Sequence, residues 1–145
     1  MPAGDTVHQG SCHCGAVRTE LTFTRPADAI EVRSCQCGFC TRHGSLTVSD
    51  PDGRAVFEID AAHFTRYRFG TGTATSLICA CCGVYAGAIL VDGGGVWSIA
   101  NTRGLGIDAF KGRVGSQVTY ESETAEQRIA RRKLKWTPTE IRLKL

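Results

Sequence analysis

Cysteine spacing constrains this chain more than any other feature of its sequence. Three of the eight cysteines fall within six residues, in the segment Cys35-Gln36-Cys37-Gly38-Phe39-Cys40. The others form two flanking groups, Cys12 and Cys14 upstream and Cys79, Cys81 and Cys82 downstream. So compact a distribution indicates thiols that act together, as metal ligands, catalytic groups or disulfides.

The rest of the chain favours metal ligands or catalytic groups over disulfides. A domain of 145 residues buries about 68–70% of the surface of its unfolded chain and does not need disulfides to fold. The N-terminal segment Met1–Thr6 has neither the basic nor the apolar region of a secretory signal. We therefore expect a cytoplasmic protein in a reducing compartment, where closely spaced cysteines serve metals or catalysis. Four disulfides are the alternative for an exported protein.

Charge and apolar content restrict the partners. The net charge of +3 is too small to predict nucleic acid or an anionic membrane as a partner. The longest apolar run, Val84 to Val91, is far shorter than the about 20 residues that a spanning helix requires. The basic segment Arg128–Lys135 is the one candidate for nucleic-acid contact, but the acidic neighbours Glu121, Glu123 and Glu126 favour a solvated helix. The sequence leaves the oligomeric state open.

Alternating apolar residues predict a mostly β fold. Val17, Leu21 and Phe23 fall on one face of a predicted strand, and similar short runs follow it along the chain. These runs lie at about residues 30–35, 46–48, 55–59, 65–69, 73–79, 84–91, 96–99 and 114–120. A helix is expected only near the C-terminus, where Thr124 and Gln127 form a capping-box pattern. We therefore predict a single domain, residues 1–145, with the cysteine motifs in a motif core at about 8–100 and a basic C-terminal segment at about 124–145.

The two outer cysteine groups predict a closed structural zinc site. Cys79 and Cys82 have the Cys-x-x-Cys spacing that places two sulfurs on one ion, and Gly83 lets the backbone bend around it. Cys12 and Cys14 point to the same side if their segment is extended. Because zinc takes four tetrahedral ligands in structural sites, these two pairs together form a complete ligand set.

Cys35, Cys37 and Cys40 then supply three ligands and leave a fourth position open. Three protein ligands with one open position are typical of a catalytic zinc, whereas four are typical of a structural one. Cys81 is the spare thiol in this division. Alternatively, Cys81 closes the triplet into a second four-cysteine site.

The three motifs together resemble the glutathione-dependent formaldehyde-activating enzyme family, which includes centromere protein V. The resemblance is carried by Gly10-Ser11-Cys12-His13-Cys14-Gly15-Ala16-Val17, Cys35-x-Cys-x-x-Cys40 and Cys79-x-x-Cys82-Gly83. It implies an Mss4-like fold of antiparallel β-sheets with zinc knuckles and two Zn(II) ions per chain, one structural at the outer pairs and one catalytic at the triplet. It also implies carbon–sulfur lyase activity with glutathione as a co-substrate. The segment Asn101-Thr102-Arg103-Gly104 and the basic C-terminal segment depart from the family pattern.

An open zinc held by three thiolates suits thiol chemistry. A soft incoming thiol fits the fourth position better than a hydroxide-generating role, and its lowered pKa supplies a thiolate near neutrality. That thiolate could add to a small carbonyl compound, and the reverse reaction cleaves a carbon–sulfur bond. We therefore expect a zinc-dependent lyase or synthase acting on thiol adducts of small carbonyl compounds, with His43 as the candidate acid–base residue. The alternatives are an exposed loop position for His43 and a non-catalytic zinc module that binds protein or nucleic acid.

Overall fold

The structure is a computed structural model that describes residues 5–145. Residues 1–4 lie outside the described residues. They belong to the predicted domain and to the N-terminal segment Met1–Thr6. The described part contains two α-helices, α1 (Gly38–His43) and α2 (Ala125–Lys135). Its strands are β1 (Thr6–Ser11), β2 (Val17–Phe23), β3 (Arg33–Cys35), β4 (Thr47–Val48), β5 (Arg54–Asp60), β6 (Phe64–Tyr67), β7 (Thr75–Cys79), β8 (Tyr85–Asp92), β9 (Gly95–Asn101), β10 (Ser116–Val118) and β11 (Thr137–Lys144). The mostly β prediction is confirmed.

The strands form one large mixed sheet that branches at β9. Along its main path the order is β1-β2-β5-β11-β9-β4-β3-β10, and β8, β7 and β6 extend it from the other edge of β9. Most strand pairs are antiparallel, as expected, but β11 runs parallel to β5 and β10 runs parallel to β3. Both parallel partners lie far apart in the chain, so no local turn signal could indicate their direction.

Strand β11 connects the two halves of the sheet. Its first residues, Thr137 and Pro138, pair with Ser98 and Trp97 of β9, and its remainder pairs with β5. Apolar alternation does not predict β11 clearly. Pro138 weakens the strand pattern, and charged residues occupy exposed positions of the strand. The last part of the C-terminal segment, Thr137–Lys144, is therefore part of the sheet.

Apolar alternation places the core between the strand faces. Val17, Leu21 and Phe23 are buried on one face of β2, as predicted, and Phe57 and Ile59 of the neighbouring β5 are buried beside them. Full burial of side chains of this size contributes about 1.5–3 kcal/mol each. This core fixes the strands in their pairing and thereby positions the turns that contain the cysteines.

The predicted strand ends differ from the observed ones. Ile30 and Val32 are buried but precede β3, and Phe69 lies beyond the end of β6. Val114 is 90% exposed and precedes β10. The alternation also does not predict β1, whose inward-facing positions include His8 and Gly10 in place of apolar side chains.

The helices differ from prediction in one respect. At α2 the Thr124 side chain accepts a hydrogen bond from the Gln127 backbone and the Gln127 side chain accepts one from the Thr124 backbone, so the predicted capping box is confirmed. The expectation of a helix only near the C-terminus is wrong, because α1 follows β3 directly. Within residues 5–145, neither helix is long and apolar enough to span a bilayer.

A buried carboxylate joins the β2–β3 connection to the turn before β5. The side chain of Asp50 is fully buried, and its Oδ2 accepts hydrogen bonds of 2.8 Å from both the backbone N–H and the hydroxyl of Thr24. Its Oδ1 accepts one of 3.0 Å from the Asp52 backbone. Burial alone would raise the pKa of Asp50, but the hydrogen bonds outweigh it and lower the pKa below its ordinary value.

We predict that Asp50→Asn lowers the free energy of unfolding by about 1–3 kcal/mol at neutral pH, because the amide leaves a buried donor unsatisfied. A group with a lowered folded-state pKa stabilises the fold above its unfolded pKa and loses that contribution as the pH falls through the folded pKa. The difference between the two proteins should therefore shrink in acid. Urea titrations across pH measure it, and Asp28→Asn, at an exposed carboxylate, should stay within about 0.5 kcal/mol of wild type. Equal stability of Asp50→Asn and wild type at pH 7 would contradict the account.

Candidate metal centres

The four-cysteine cluster lies where two turns meet. Cys12 and Cys14 lie between β1 and β2, while Cys79 ends β7 and Cys82 follows it in the turn to β8. The four Sγ atoms lie within 4.8 Å of one another, with 3.8 Å between Cys12 and Cys14 and 3.5 Å between Cys14 and Cys79. Thiolates at about 2.3 Å from a tetrahedral zinc are about 3.8 Å apart. The cluster could therefore hold a metal ion with all four protein ligands.

Backbone N–H groups support the sulfurs of this cluster. The N–H of Val17 donates to the Cys12 Sγ at 3.3 Å, and the N–H of Cys82 donates to the Cys79 Sγ at 3.5 Å. Gly83 has a φ of 80°, a conformation that L side chains rarely adopt, and it turns the chain back into β8. Backbone donors of this kind favour the thiolate form of cysteine, which is the form that a metal ion binds.

The three-cysteine cluster comes from one continuous segment. Cys35 is the last residue of β3, and Cys37 is the N-cap residue of α1, where its Sγ accepts a 3.3 Å hydrogen bond from the Cys40 backbone. Cys40 is buried in the first turn of the helix. The three Sγ atoms lie within 4.8 Å of one another. The first turn of α1 brings the thiol of Cys40 back toward those of Cys35 and Cys37.

The thiols of the triplet influence one another's protonation. The hydrogen bond from Cys40 lowers the pKa of Cys35, and the same interaction, together with burial, raises the pKa of Cys40. Because metals bind thiolates, a metal ion must displace the proton that this pair retains. The affinity of the triplet for a metal therefore rises with pH.

A cavity of about 120 Å³ opens beside the triplet, and all three of its cysteines border it. A single water molecule needs about 10–15 Å³ on this scale, so the cavity can admit a small molecule. None of the cysteines of the four-cysteine cluster borders it. The two clusters therefore differ in surroundings as well as in ligand number.

Arginines of α2 form part of the wall of this cavity. Arg128, Arg131 and Arg132 have the i, i+3, i+4 spacing of one helix face, and all three border the cavity. Arg132 is only 9% exposed, donates to the Thr73 hydroxyl at 2.6 Å and lies over the ring of Trp136. The prediction of a solvated basic helix is therefore wrong for this face. Burial and the neighbouring arginines lower the pKa of Arg132 to about 10, so it stays charged at neutral pH.

Tyr85 and the aromatic residues around α1 complete the site. Tyr85 is buried and borders the cavity, and its pKa is raised by burial and by the charges of the neighbouring cysteines, so its hydroxyl keeps its proton. Phe39 packs its ring against Tyr67 and Phe69 of the β6 region at 5.6 and 5.1 Å between centroids. His43, the predicted acid–base residue, is exposed at the end of α1 and does not border the cavity.

Cys81 belongs to neither cluster. Its side chain is exposed, and its sulfur is absent from both groups of ligand atoms within residues 5–145. The arrangement in which Cys81 closes the triplet is therefore not the one in this structure. All eight cysteines are free thiols, so the chain contains no disulfide.

A solved structure is similar to this chain. No protein-family profile matches the chain. It is similar to a crystal structure of a Rhodobacter sphaeroides protein, with 30% sequence identity over 77% of this chain and 99% of that one and a TM-score of 0.51. The chain belongs to the same family as that protein. The likeness supports the fold and assigns no activity.

Sequence reasoning found every residue of both clusters but missed the rest of the site. Tyr85 lies in a predicted strand and carries no signal that separates it from a core residue. The arginine spacing in α2 was visible, but the sequence does not show toward which element that face is turned. These residues meet the triplet because β8 and α2 both border the same cavity.

We predict different effects for a cysteine of the four-cysteine cluster and for Cys81, which belongs to neither cluster. Cys79→Ser removes a fully buried ligand of the four-cysteine cluster, and structural zinc binding is worth about 10–16 kcal/mol in small peptides. This variant should lose one metal ion per chain and melt far below wild type. Cys81→Ser is the matched control, because its exposed thiol binds in neither cluster, and its stability should change by less than about 0.5 kcal/mol. Elemental analysis and thermal unfolding measure both quantities. A loss of metal from Cys81→Ser would contradict the assignment.

Proposed function

We propose that this protein is a zinc-dependent carbon–sulfur lyase or synthase that acts on thiol adducts of small carbonyl compounds. The observation that carries the proposal is the three-cysteine cluster at the wall of a cavity large enough for a small molecule. A closed four-cysteine cluster elsewhere in the same fold is suited to a structural ion and leaves the triplet for chemistry.

Zinc is the metal that we propose for both clusters. Thiolate ligands at tetrahedral separations select soft or borderline metals, and zinc is the commonest ion in sites with four cysteines. At the triplet, bound zinc would supply a Lewis acid that lowers the pKa of an incoming thiol. Cys35, Cys37 and Cys40 would hold it there, and Cys12, Cys14, Cys79 and Cys82 would hold the structural ion.

The reaction that fits this site is reversible addition of a thiol to a carbonyl group. The thiol sulfur forms a bond to the carbonyl carbon, the carbonyl double bond opens, and its oxygen takes the proton that the thiol gives up. The product is an S-hydroxyalkyl adduct, and the reverse reaction breaks the carbon–sulfur bond and returns both compounds. No oxidant or reductant is needed for either direction.

The residues of the cavity have complementary roles in this reaction. Zinc held by the triplet would supply the position for the incoming sulfur. The neutral hydroxyl of Tyr85 would donate a hydrogen bond to the carbonyl oxygen as negative charge develops on it. Phe69 borders the cavity and stacks on Phe39, so this side of the cavity is apolar and limits access of water. His43 does not border the cavity, but its ring lies 5.5 Å from the ring of Tyr85.

The resemblance to the glutathione-dependent formaldehyde-activating family supports the same chemistry and suggests the reactants. On that basis we propose glutathione, or another low-molecular-weight thiol of the reducing cytoplasm, together with a one-carbon or other small aldehyde. A non-catalytic zinc module is the competing proposal. It draws support from Tyr67 and Phe69, which are 48% and 41% exposed and could contact a partner protein.

The central test uses zinc-loaded protein with formaldehyde and glutathione at equilibrium, where exchange between free and adduct states is measured by magnetization-transfer NMR. We expect wild type to accelerate this exchange and Cys37→Ser to reduce the acceleration by at least about 100-fold, since even residues that only support a metal ligand matter by about 10–100-fold. Cys81→Ser is the matched control and should keep full activity. Full activity in Cys37→Ser or in folded metal-free protein, or no acceleration by wild type with any small thiol, would favour the non-catalytic module.

Tyr85→Phe separates the role of the hydroxyl from that of the ring. The substitution keeps the buried ring, so the melting temperature and metal content should stay close to wild type. The exchange rate should fall by about 100-fold, the lower end of what a positioned proton donor contributes. Tyr67→Phe removes an exposed hydroxyl of the same kind and should leave the rate unchanged. An unchanged rate in Tyr85→Phe would remove this residue from the mechanism.

A further inference from the structure

We propose that Arg128 and Arg132 form a binding site for an anionic group, a carboxylate or a phosphate, on the small molecule that enters the cavity. The inference rests on the proposed function only in taking the other end of that molecule to be a thiol or its adduct. It narrows the substrate class to acidic thiols.

Arg132 provides the first observation. It is nine-tenths buried, and the one hydrogen bond of its guanidinium group within residues 5–145 is the donation from Nη1 to Thr73. Its Nε is buried and has no hydrogen-bond partner among the described residues. A buried donor without a partner costs about 1–3 kcal/mol, and more when it is charged, so such groups are rare unless a ligand satisfies them. No carboxylate in the described chain pairs with this guanidinium.

Arg128 provides an independent observation one turn earlier on the same helix face. Its Nη2 donates to the Tyr120 carbonyl at 3.0 Å, and its Nε is also buried without a partner among the described residues. Arg131, between the two, differs from both: its Nε donates to both carboxylate oxygens of Glu123, and its guanidinium lies 3.5 Å from the centre of the Tyr120 ring. Arg131 is therefore held by groups of the chain itself. Arg132 Nη2 and Arg128 Nη1 have no hydrogen-bond partner among the described residues, so these two arginines keep donors for a ligand.

The charges around the cavity also favour an anion. Four guanidinium groups border it, those of α2 and that of Arg33, whereas Glu121 is the one carboxylate on its wall and Glu123 is already paired with Arg131. Zinc with three thiolates carries a single negative charge. The positive charges therefore exceed the negative ones after the metal site and both carboxylates are taken into account, and burial strengthens their attraction for an anion.

The donor geometry identifies the chemical class. A guanidinium presents parallel N–H donors that match the two oxygens of a carboxylate or two oxygens of a phosphate. The hydroxyl of Thr73, already held by Arg132, supplies a further polar contact on the same wall. A molecule that spans the cavity would thus place its sulfur at the triplet and its acidic group against α2.

The test compares two thiols of equal length on the zinc-loaded full chain, mercaptopropionate and the neutral mercaptopropanol, by isothermal titration calorimetry. We expect mercaptopropionate to bind at least about tenfold more tightly, the effect of one charge-assisted hydrogen bond. Arg128→Gln and Arg132→Gln should each remove about tenfold from the affinity for mercaptopropionate and leave that for mercaptopropanol unchanged. Lys135→Gln removes an exposed charge from the same helix and serves as the matched control. Arg128→Gln keeps the test valid if the more buried Arg132→Gln does not fold.

Competition with succinate and with inorganic phosphate distinguishes the two anion classes, because the better competitor shows which group the wall prefers. Equal affinity for both thiols, with no competition by either anion, would overturn the anion site and leave the thiol chemistry intact. Binding of succinate or phosphate that depends on Arg128, without binding of either thiol, would support the anion site and overturn the proposed function. Loss of zinc from the arginine variants, with anion affinity unchanged, would show that the arginines only balance the charge of the thiolates.

Discussion

The contact between Cys14 and Cys79 joins parts of the chain that are 65 positions apart, and the rest of the site depends on it. It holds the turn between β1 and β2 against the turn between β7 and β8. Closing a loop of that length costs conformational entropy that four metal–sulfur bonds can readily offset. Because β8 begins with Tyr85, the same contact sets the position of one wall of the cavity. The four-cysteine cluster thereby influences the shape of the cavity beside the three-cysteine cluster.

The C-terminal segment provides the second constraint. Strand β11 pairs with both β9 and β5, so the helix before it cannot swing away from the sheet. Trp136 is buried at the junction of α2 and β11, and Arg132 stacks on it one turn earlier. The inward direction of the α2 arginines follows from this anchor, since a helix whose end is fixed in a sheet can present only one face to the cavity.

The sequence predicts those features whose signal is local. The spacing of Cys79 and Cys82, the alternation in β2 and the capping box at Thr124 each depend on residues within a few positions of one another, and each is observed. Helix α1 could not be predicted in the same way. It is six residues long, too short to show helical periodicity, and its start depends on the Sγ of Cys37 acting as a cap.

The arginine wall escaped prediction for a different reason. Charged residues at helical spacing are usually solvated, and the acidic residues near α2 strengthened that expectation. One of those acidic residues, Glu123, does pair with an arginine, but it pairs with Arg131 alone. Arg132 is covered by Trp136 and contacts Thr73 in the connection between β6 and β7, and both contacts depend on tertiary packing that the local sequence does not show.

Burying unpaired guanidinium groups has a free-energy cost that the fold must offset elsewhere. This cost is tolerated where the guanidinium group binds a ligand. Folding has then already desolvated the group, so ligand binding does not have to. The motif core at about residues 8–100 contains all seven clustered cysteines but none of the α2 arginines. The proposed metal ligands and the proposed anion-binding arginines therefore lie in different parts of the chain. Under these proposals, substitutions in the C-terminal segment would change which acidic molecule is accepted and leave the three thiols of the triplet unchanged.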